Sequence, residues 1–245
     1  SMLFLHFSAS NSLREISNCL MSATGNLNHL GVSKAPSKSS LSYINKKRDW
    51  NLFKDYYFKM LEHLSSLAGF KQKKFKIKSK IYLLDSTTIT LCLSIFDWAL
   101  YRTAKGAIKL HTILDYDSCL PVYVYMSDGK LSDVKAVQEL SFRKGAVIVM
   151  DRAYLDFIML SRWNTEGVYF VTRLKKNIKF KRLKERDLPD NRHEHILVDE
   201  YIELTEEETA QKYPKKLRRV VVFNEEKNET IELLTNNFTW TANTI

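Results

Sequence analysis

The 245-residue sequence is poor in glycine and cysteine and contains no long apolar run. Its seven glycines form neither a P-loop nor a GxGxxG motif, which argues against a nucleotide cofactor. Its three cysteines, Cys19, Cys92 and Cys119, show no CxxC spacing, so we expect ordinary thiols in a reducing cytoplasm rather than disulfides or a zinc site. No apolar stretch approaches the roughly 20 residues that span a bilayer, so no membrane association is expected.

Acidic residues are also scarce relative to basic ones. Lys and Arg number 38 against 28 for Asp and Glu, which gives a net charge of +10 and a pI near 9.3. The excess is concentrated in runs: residues 71–80 carry six lysines and residues 173–184 carry seven basic residues, both without an acid, whereas residues 185–208 are acidic. One such run fits a solvated surface equally well, but several on one chain favour a polyanionic partner, with nucleic acid as the leading candidate.

The first 69 residues show helical patterns. "SLRE" at 12–15 fits a capping box, "PSKSSLSYINKKR" at 36–48 begins with a proline and serine cap signal, and apolar residues from 50 to 67 recur at spacings of three and four. Gly69 is expected to end this long amphipathic helix. A helical region of this kind fits a DNA-binding module or a plain helical cap, and the pattern does not separate the two.

From residue 81 the periodicity changes to that of strands. Three strands are predicted in succession at 81–85, 107–114 and 121–126, followed by a helix at 131–142, a strand at 146–150, a helix at 154–167 and a strand at 168–172. Three more strands are predicted at 195–204, 217–226 and 229–237. This order predicts an α/β fold, in which a mixed sheet is covered by helices on both faces and extended by a β-rich insertion.

Two of these strands each lead into an aspartate. "YLLDSTTI" presents Asp85 and "VIVMDRAY" presents Asp151, which lie 66 residues apart. If the first and fourth strands are neighbours, the two carboxylates meet at one edge of the sheet and repel each other unless a cation lies between them. Mg²⁺ suits such a site because it takes one or two carboxylates plus substrate phosphates. The alternative is that Asp85 caps a turn with Ser86 and that Asp151 caps the helix beginning near Tyr154.

Several motifs then occur in a characteristic order and spacing. "LLDSTTI", "KGAIKLHTILDY", "SDGKLSDVKAV", "VMDRAYLDF", "YFVTRLKKN" and "ELLTNNF" together resemble DDE transposases of the insertion-sequence-four family, over most of residues 80–245. The resemblance implies a ribonuclease H-like catalytic domain. It divides the chain into an N-terminal helical region at 1–69 that is a candidate for DNA binding, a catalytic core at 70–175, a β-rich insertion at 176–230 and a return to the core at 231–245.

The resemblance also implies roles for the matching positions. Asp85 and Asp151 correspond to the first and second catalytic, metal-binding carboxylates. The remaining matching positions are expected to contact DNA near the metal: Lys109, His111, Arg152, Tyr154, Arg173 and Lys175. From the residues alone, His111 fits a satisfied core or surface histidine as well as a substrate contact.

The activity implied is Mg²⁺-dependent cleavage of DNA at element ends, with Mn²⁺ as a substitute, followed by attack of the freed 3′-hydroxyl on target DNA. The partners implied are these two DNAs and a second copy of the chain, in the bacterial cytoplasm at the nucleoid. The family's third acid is a glutamate in a Y-R-E-K helix, expected just beyond "TNNFTWTANTI" where the sequence ends, so we assign no third acid and expect a truncated catalytic fragment.

Two other functions remain open on these residues. A truncated transposase could act as a non-catalytic DNA-binding protein, and the same fold could act as a stand-alone metal-dependent nuclease. "HEH" at 193–195 could bind a transition metal, but it lies in a charged loop with no partner Cys or His at ligand spacing.

Overall fold

The computed structural model describes residues 8–23, 25–31, 33–67, 79–91, 100–102, 105–188 and 192–245. Most of the lysine run at 71–80, together with Cys92 and the predicted helix end at Gly69, lies outside these residues. The chain divides into two compact units, Ser1–Met60 and Leu61–Ile245.

The first unit is helical. Its elements are α1 (Leu13–Ser22), a short 3-10 helix (Leu27–Leu30), α2 (Lys38–Lys47) and the start of α3 (Asn51–Ser66). The Ser12 hydroxyl caps α1 by accepting from the Glu15 amide at 3.2 Å, as the "SLRE" motif predicts. The Glu15 carboxylate reaches back to the Asn11 amide at 2.6 Å, one residue before the expected one. Ile16, Leu20 and Leu41 form a small core where α1 packs on α2.

The second unit contains a ten-stranded sheet. Its strands are β1 (Ile81–Leu91), β2 (Leu100–Arg102), β3 (Lys105–Asp115), β4 (Leu120–Asp128), β5 (Val147–Met150), β6 (Tyr169–Arg173), β7 (Phe180–Glu185), β8 (Ile196–Leu204), β9 (Leu217–Asn224) and β10 (Glu229–Thr235). The helices among them are α4 (Asp133–Val137), α5 (Phe157–Thr165), α6 (Glu207–Lys212) and 3-10 turns at Arg152–Tyr154 and Ala242–Thr244.

The strand order identifies the architecture. β4, β3 and β1 are antiparallel neighbours, and β5 and then β6 continue the sheet parallel to β1. This order, three antiparallel strands followed by two parallel strands reached through helices, is that of a ribonuclease H-like fold and confirms the predicted α/β class. β10, β9, β8 and β7 extend the same sheet beyond β6 as antiparallel strands.

The core lies mainly on the helical side of the sheet. Because alternate residues of a strand face opposite sides of the sheet, β1, β5 and β6 each contribute side chains to a cluster on either side. The larger cluster includes Leu84, Ile148, Phe170, Leu160 and Trp163, and the smaller, opposite cluster includes Ile81, Val147 and Val171. Each such side chain, when fully buried, contributes about 1.5–3 kcal/mol to folding.

The helix predicted over 131–142 is shorter in the structure. α4 spans only Asp133–Val137, with Ser132 as its N-cap. The chain leaves the helix because the Leu140 carbonyl accepts hydrogen bonds from the side chains of Arg162 and Trp163 on α5, at 2.9 and 3.3 Å. Tertiary contacts with α5 therefore override the helical periodicity of this segment.

The insertion strands contain buried ion pairs. Arg218 is fully buried and donates two hydrogen bonds to the Asp199 carboxylate, each 2.7 Å long. It also donates to the backbone carbonyls of Asn237 and Trp240. Glu200, also fully buried, pairs with the guanidinium groups of Arg182 and Arg219. Asp199 and Glu200 are therefore strand residues neutralised by arginines.

Candidate active site

Asp85 and Asp151 occupy adjacent positions on neighbouring parallel strands. The β1/β5 ladder pairs Ile81 with Val147 and ends at the pair of Leu84 with Met150. The two aspartates are the next residues on their strands, so their backbones lie about 5 Å apart, the usual strand spacing. Both are exposed. The structure thus places the two acids side by side.

The strand that carries Asp85 does not end there, and the predicted strand end at residue 85 is wrong. β1 continues to Leu91 because β3 pairs with it along its length, with Asp85 opposite Thr112. Only the parallel ladder stops, since β5 ends at Met150 as predicted. Asp85 is therefore a mid-strand residue beside the end of a shorter strand.

Each aspartate uses one oxygen in a local hydrogen bond. Asp85 Oδ1 accepts from the Ser86 amide at 2.7 Å, and Asp151 Oδ1 accepts from the Ala153 amide at 2.9 Å and caps the 3-10 turn Arg152–Tyr154. The local capping roles expected as the alternative to metal binding are therefore present in part, since each aspartate bonds a backbone amide just after it. In the described part of the chain, the second oxygen of each has no hydrogen-bond partner and neither carboxylate forms an ion pair.

Two carboxylates with a free oxygen each match the donor set of a hard divalent cation, which keeps its other positions for water and phosphate oxygens. Across the described ranges, no group of three or more His, Cys, Asp or Glu side chains is arranged to hold a metal. The described residues include the "HEH" segment, where the rings of His193 and His195 lie 4.7 Å apart but no third ligand joins them in such a group. Asp85 and Asp151, with one oxygen each outside their local hydrogen bonds, fit a cation held by two protein carboxylates.

A buried tyrosine lies close to these two acids and to a third one, Asp133. Tyr154 is 1% exposed. Burial raises the pKa of its hydroxyl; a hydrogen bond from Ser86 lowers this pKa, whereas Asp133, Asp85 and Asp151 raise it further. All three carboxylates therefore lie near the hydroxyl, which stays protonated at neutral pH.

His111 and Lys109 lie behind this tyrosine. His111 is fully buried, with Nε2 3.0 Å from Ser127 Oγ and Nδ1 3.2 Å from the Tyr154 oxygen. Burial lowers the pKa of His111, Asp133 raises it and Lys109 lowers it, so the ring is neutral at pH 7. Lys109 Nζ lies 3.2 and 3.3 Å from the two oxygens of Asp133.

These contacts bear on the expected DNA-binding residues. Lys109, His111 and Tyr154 are engaged with protein groups and are largely or fully buried, so a DNA contact by these three stays a prediction that their burial does not favour. Sequence reasoning did not single out Asp133, although it lies within the quoted "SDGKLSDVKAV" motif. Its position at the start of a helix, directly after a serine cap, was the available signal.

A basic cleft adjoins Asp151. The open cleft has a volume of about 450 Å³ and is lined by Asp151, Arg152, Ala153, Lys175, Lys176 and Asn177. A neighbouring pocket of about 230 Å³ shares Arg152, Lys175 and Lys176 and adds Arg173 and Arg219. The structure therefore brings together the predicted Arg152, Arg173 and Lys175, and it adds Lys176 from the same basic run. Arg219 and Arg173 in the neighbouring pocket are paired with acids of its lining, Glu232 and Glu229.

Comparison with known proteins gives consistent results. A family model described as "Transposase DDE domain" matches residues 76–245, and a second, described only as a domain of unknown function, matches residues 1–33. The "Probable transposase for insertion sequence element IS5377" of Geobacillus stearothermophilus is 28% identical over 71% of this chain and 45% of its own length. A protein of Sinorhizobium fredii, y4zB, whose name also places it among transposases, is 24% identical over 83% of this chain and 55% of its own length.

The chain thus spans about half the length of the curated relatives it matches. Among solved structures, a piggyBac transposase synaptic complex with hairpin DNA aligns at a TM-score of 0.38 and 10% identity, over 65% of this chain and 34% of that chain. In the part of the chain that the structure describes, every helix is too short or too polar to cross a membrane.

Proposed function

Because this chain belongs to the transposase DDE domain family, we propose that it forms part of a transposase that cleaves DNA at the ends of an insertion sequence and joins the freed 3′-hydroxyl to target DNA. The observation that supports this most directly is the side-by-side placement of Asp85 and Asp151. Members of this family generally use a divalent metal.

In this proposal, Asp85 and Asp151 are the catalytic, metal-binding carboxylates, and Mg²⁺ is the ion, with Mn²⁺ as a substitute. When bound, the ion would activate the attacking oxygen and neutralise charge on the phosphate. The support comes from the two free carboxylate oxygens, which have no described cation to balance them. Hydrogen bonds from the amides of Ser86 and Ala153 hold the opposite oxygens and so orient both carboxylates.

The basic cleft would hold the DNA. Arg152 and Lys176 are exposed, Lys175 is half-buried, and Arg173 is 45% exposed at its side chain. A phosphate backbone that follows this cleft from Arg173 to Arg152 would be directed onto Asp151, since these residues line adjoining parts of one surface. A DNA substrate of this kind would place the protein at the nucleoid of a bacterial cell.

The division of the chain is part of the same proposal. Residues 1–69 would form a helical region that binds DNA, 70–175 the first part of the core, 176–230 the insertion and 231–245 the return to the core. The pairing of β10 with β6 supports the last boundary, because the chain there rejoins the parallel strands that carry the site.

A nicking assay with supercoiled plasmid in Mg²⁺ or Mn²⁺ tests this function. Wild type is expected to nick DNA only with the metal, and Asp151→Asn is expected to reduce nicking at least about 1,000-fold because it keeps the shape and removes the metal-binding charge. Asp187→Asn, a change at an exposed aspartate after β7, is the matched control and should cut like wild type. Full nicking by Asp151→Asn would contradict the proposal.

A further inference from the structure

A series of polar side chains, two of them buried and two largely buried, lies beside the two aspartates. Lys109 pairs with Asp133, Asp133 Oδ1 lies 3.6 Å from His111 Nδ1, and the same nitrogen lies 3.2 Å from the Tyr154 oxygen. These side chains come from β3, from α4 and from the 3-10 turn after β5. Contact with DNA does not explain why these side chains are directed at one another and away from solvent.

Ser127 determines which nitrogen of His111 carries the hydrogen. Its hydroxyl has a single hydrogen, which it donates to the Asp128 carbonyl at 3.1 Å. The same oxygen must therefore accept from His111 Nε2 at 3.0 Å. In the neutral ring Nδ1 is then an acceptor, and the group that donates to it at hydrogen-bonding distance is the Tyr154 hydroxyl.

Asp133 does not compete for this nitrogen. At 3.6 Å it lies beyond hydrogen-bonding distance of Nδ1, and Lys109 occupies both of its oxygens. Lys109 thus balances the charge of the largely buried Asp133, and His111 stays neutral beside it. The Tyr154 hydroxyl therefore points to Nδ1 of His111, because Ser127 engages the other ring nitrogen and Lys109 engages Asp133.

Tyr154 in turn contacts the elements that carry both aspartates. His111, to which its hydrogen points, lies on β3 directly opposite Ser86 of β1, the residue next to Asp85. Its backbone amide donates to the Asp151 carbonyl at 3.1 Å, within the turn that Asp151 caps. Tyr154 therefore connects the turn at Asp151, through its backbone amide, to the β1/β3 ladder beside Asp85, through its hydroxyl and His111.

We propose that Lys109, Asp133, His111 and Tyr154 form a positioning relay, which holds the turn Asp151–Tyr154 against β1 and so fixes the spacing of the two carboxylates. All four are positioning residues. Lys109, Asp133 and His111 act through Tyr154, and Tyr154 acts on the carboxylates of Asp85 and Asp151 that would bind the metal. The consequence for metal binding rests on the proposed function, whereas the anchoring of the turn does not.

The first test needs no metal. Tyr154→Phe keeps the ring and removes the hydroxyl, and Tyr213→Phe is a matched control in the same core, since Tyr213 is 2% exposed and its hydroxyl has no described partner. The amides of Ala153 and Leu155, which close the turn, should exchange with solvent about tenfold faster in Tyr154→Phe. Both should be unchanged in Tyr213→Phe, and unchanged exchange in Tyr154→Phe would overturn the relay.

The second test measures Mn²⁺ affinity by electron paramagnetic resonance on the same whole-chain variants. Tyr154→Phe should bind Mn²⁺ about tenfold more weakly than wild type, and Asp133→Asn should also bind more weakly, whereas Tyr213→Phe should match wild type. Wild-type affinity in Tyr154→Phe would reduce Tyr154 to a structural role and overturn the proposal. If wild type itself binds no Mn²⁺, the proposed metal site fails, and the exchange rates alone decide the relay.

Discussion

Two pairs of acidic residues lie in the same sheet in opposite environments. In β8, Asp199 and Glu200 are buried and each is paired with arginine, Asp199 with Arg218 and Glu200 with Arg219. At the end of the β1/β5 ladder, Asp85 and Asp151 are exposed and form no ion pair with any described residue. Acids that the fold neutralises make the native state depend on their arginine partners, whereas acids left without a counter-charge are available to a ligand.

The largest expected effect is on the neutralised pair. Arg218→Met should lower the free energy of unfolding by about 3–5 kcal/mol, because it leaves the buried Asp199 carboxylate without the guanidinium that donates two hydrogen bonds to it. Urea denaturation measures the change. Arg173→Met, at an exposed arginine 3.8 Å from Glu229, is the control and should change it by less than about 1 kcal/mol. Equal losses in the two variants would remove the distinction between the two environments.

An intermediate effect is expected from pH at the relay. Burial lowers the pKa of His111 below its ordinary value of 6.5, so the unfolded chain takes up a proton more readily than the folded one. The stability due to neutral His111 is thus present above about pH 6.5 and is lost as the pH falls below it. Thermal unfolding at pH 7.5 and 5.5 should show a steeper loss of Tm in wild type than in His111→Gln. Parallel losses would mean that this histidine does not couple to folding.

The smallest effect on stability is expected at the exposed pair. Asp85→Asn should change the free energy of unfolding by no more than about 0.5 kcal/mol, with a slight gain from reduced repulsion between the two carboxylates. A divalent cation should raise the Tm of wild type but not of this variant, because a ligand stabilises the state that binds it. If Asp85→Asn proved as destabilising as Arg218→Met, Asp85 would belong with the structural acids.

The strands nearest the site could be predicted because their signals are local. β5 and β6 are short apolar runs, and β5 ends at Met150 directly before Asp151, as expected. The extension of β1 beyond Asp85 was missed because its residues, Ser86 to Leu91, alternate weakly in polarity and are held in the sheet by β3. Pairing with another strand, which a local pattern does not show, determined this boundary.

Side-chain partners distant in sequence account for most of what could not be predicted. His111 is buried because Ser127 and Tyr154 satisfy both ring nitrogens, and these partners lie 16 and 43 residues away. The sequence predicts a strand at 195–204 within the acidic stretch, but it does not show that Asp199 meets Arg218 across β8 and β9. Composition gives the charge of such residues but not the counter-charge that decides whether they are buried.

The difference in length between β1 and β5 has a consequence for access. β5 has four residues and stops at Met150, whereas β1 continues seven residues past Leu84 with β3 as its described partner. Beside Asp85 the sheet therefore loses one strand, which leaves a step whose position is set by the end of β5 at Met150. Two further residues in β5 would fill this step and move Asp151 about 6–7 Å along the sheet, which would separate it from Asp85.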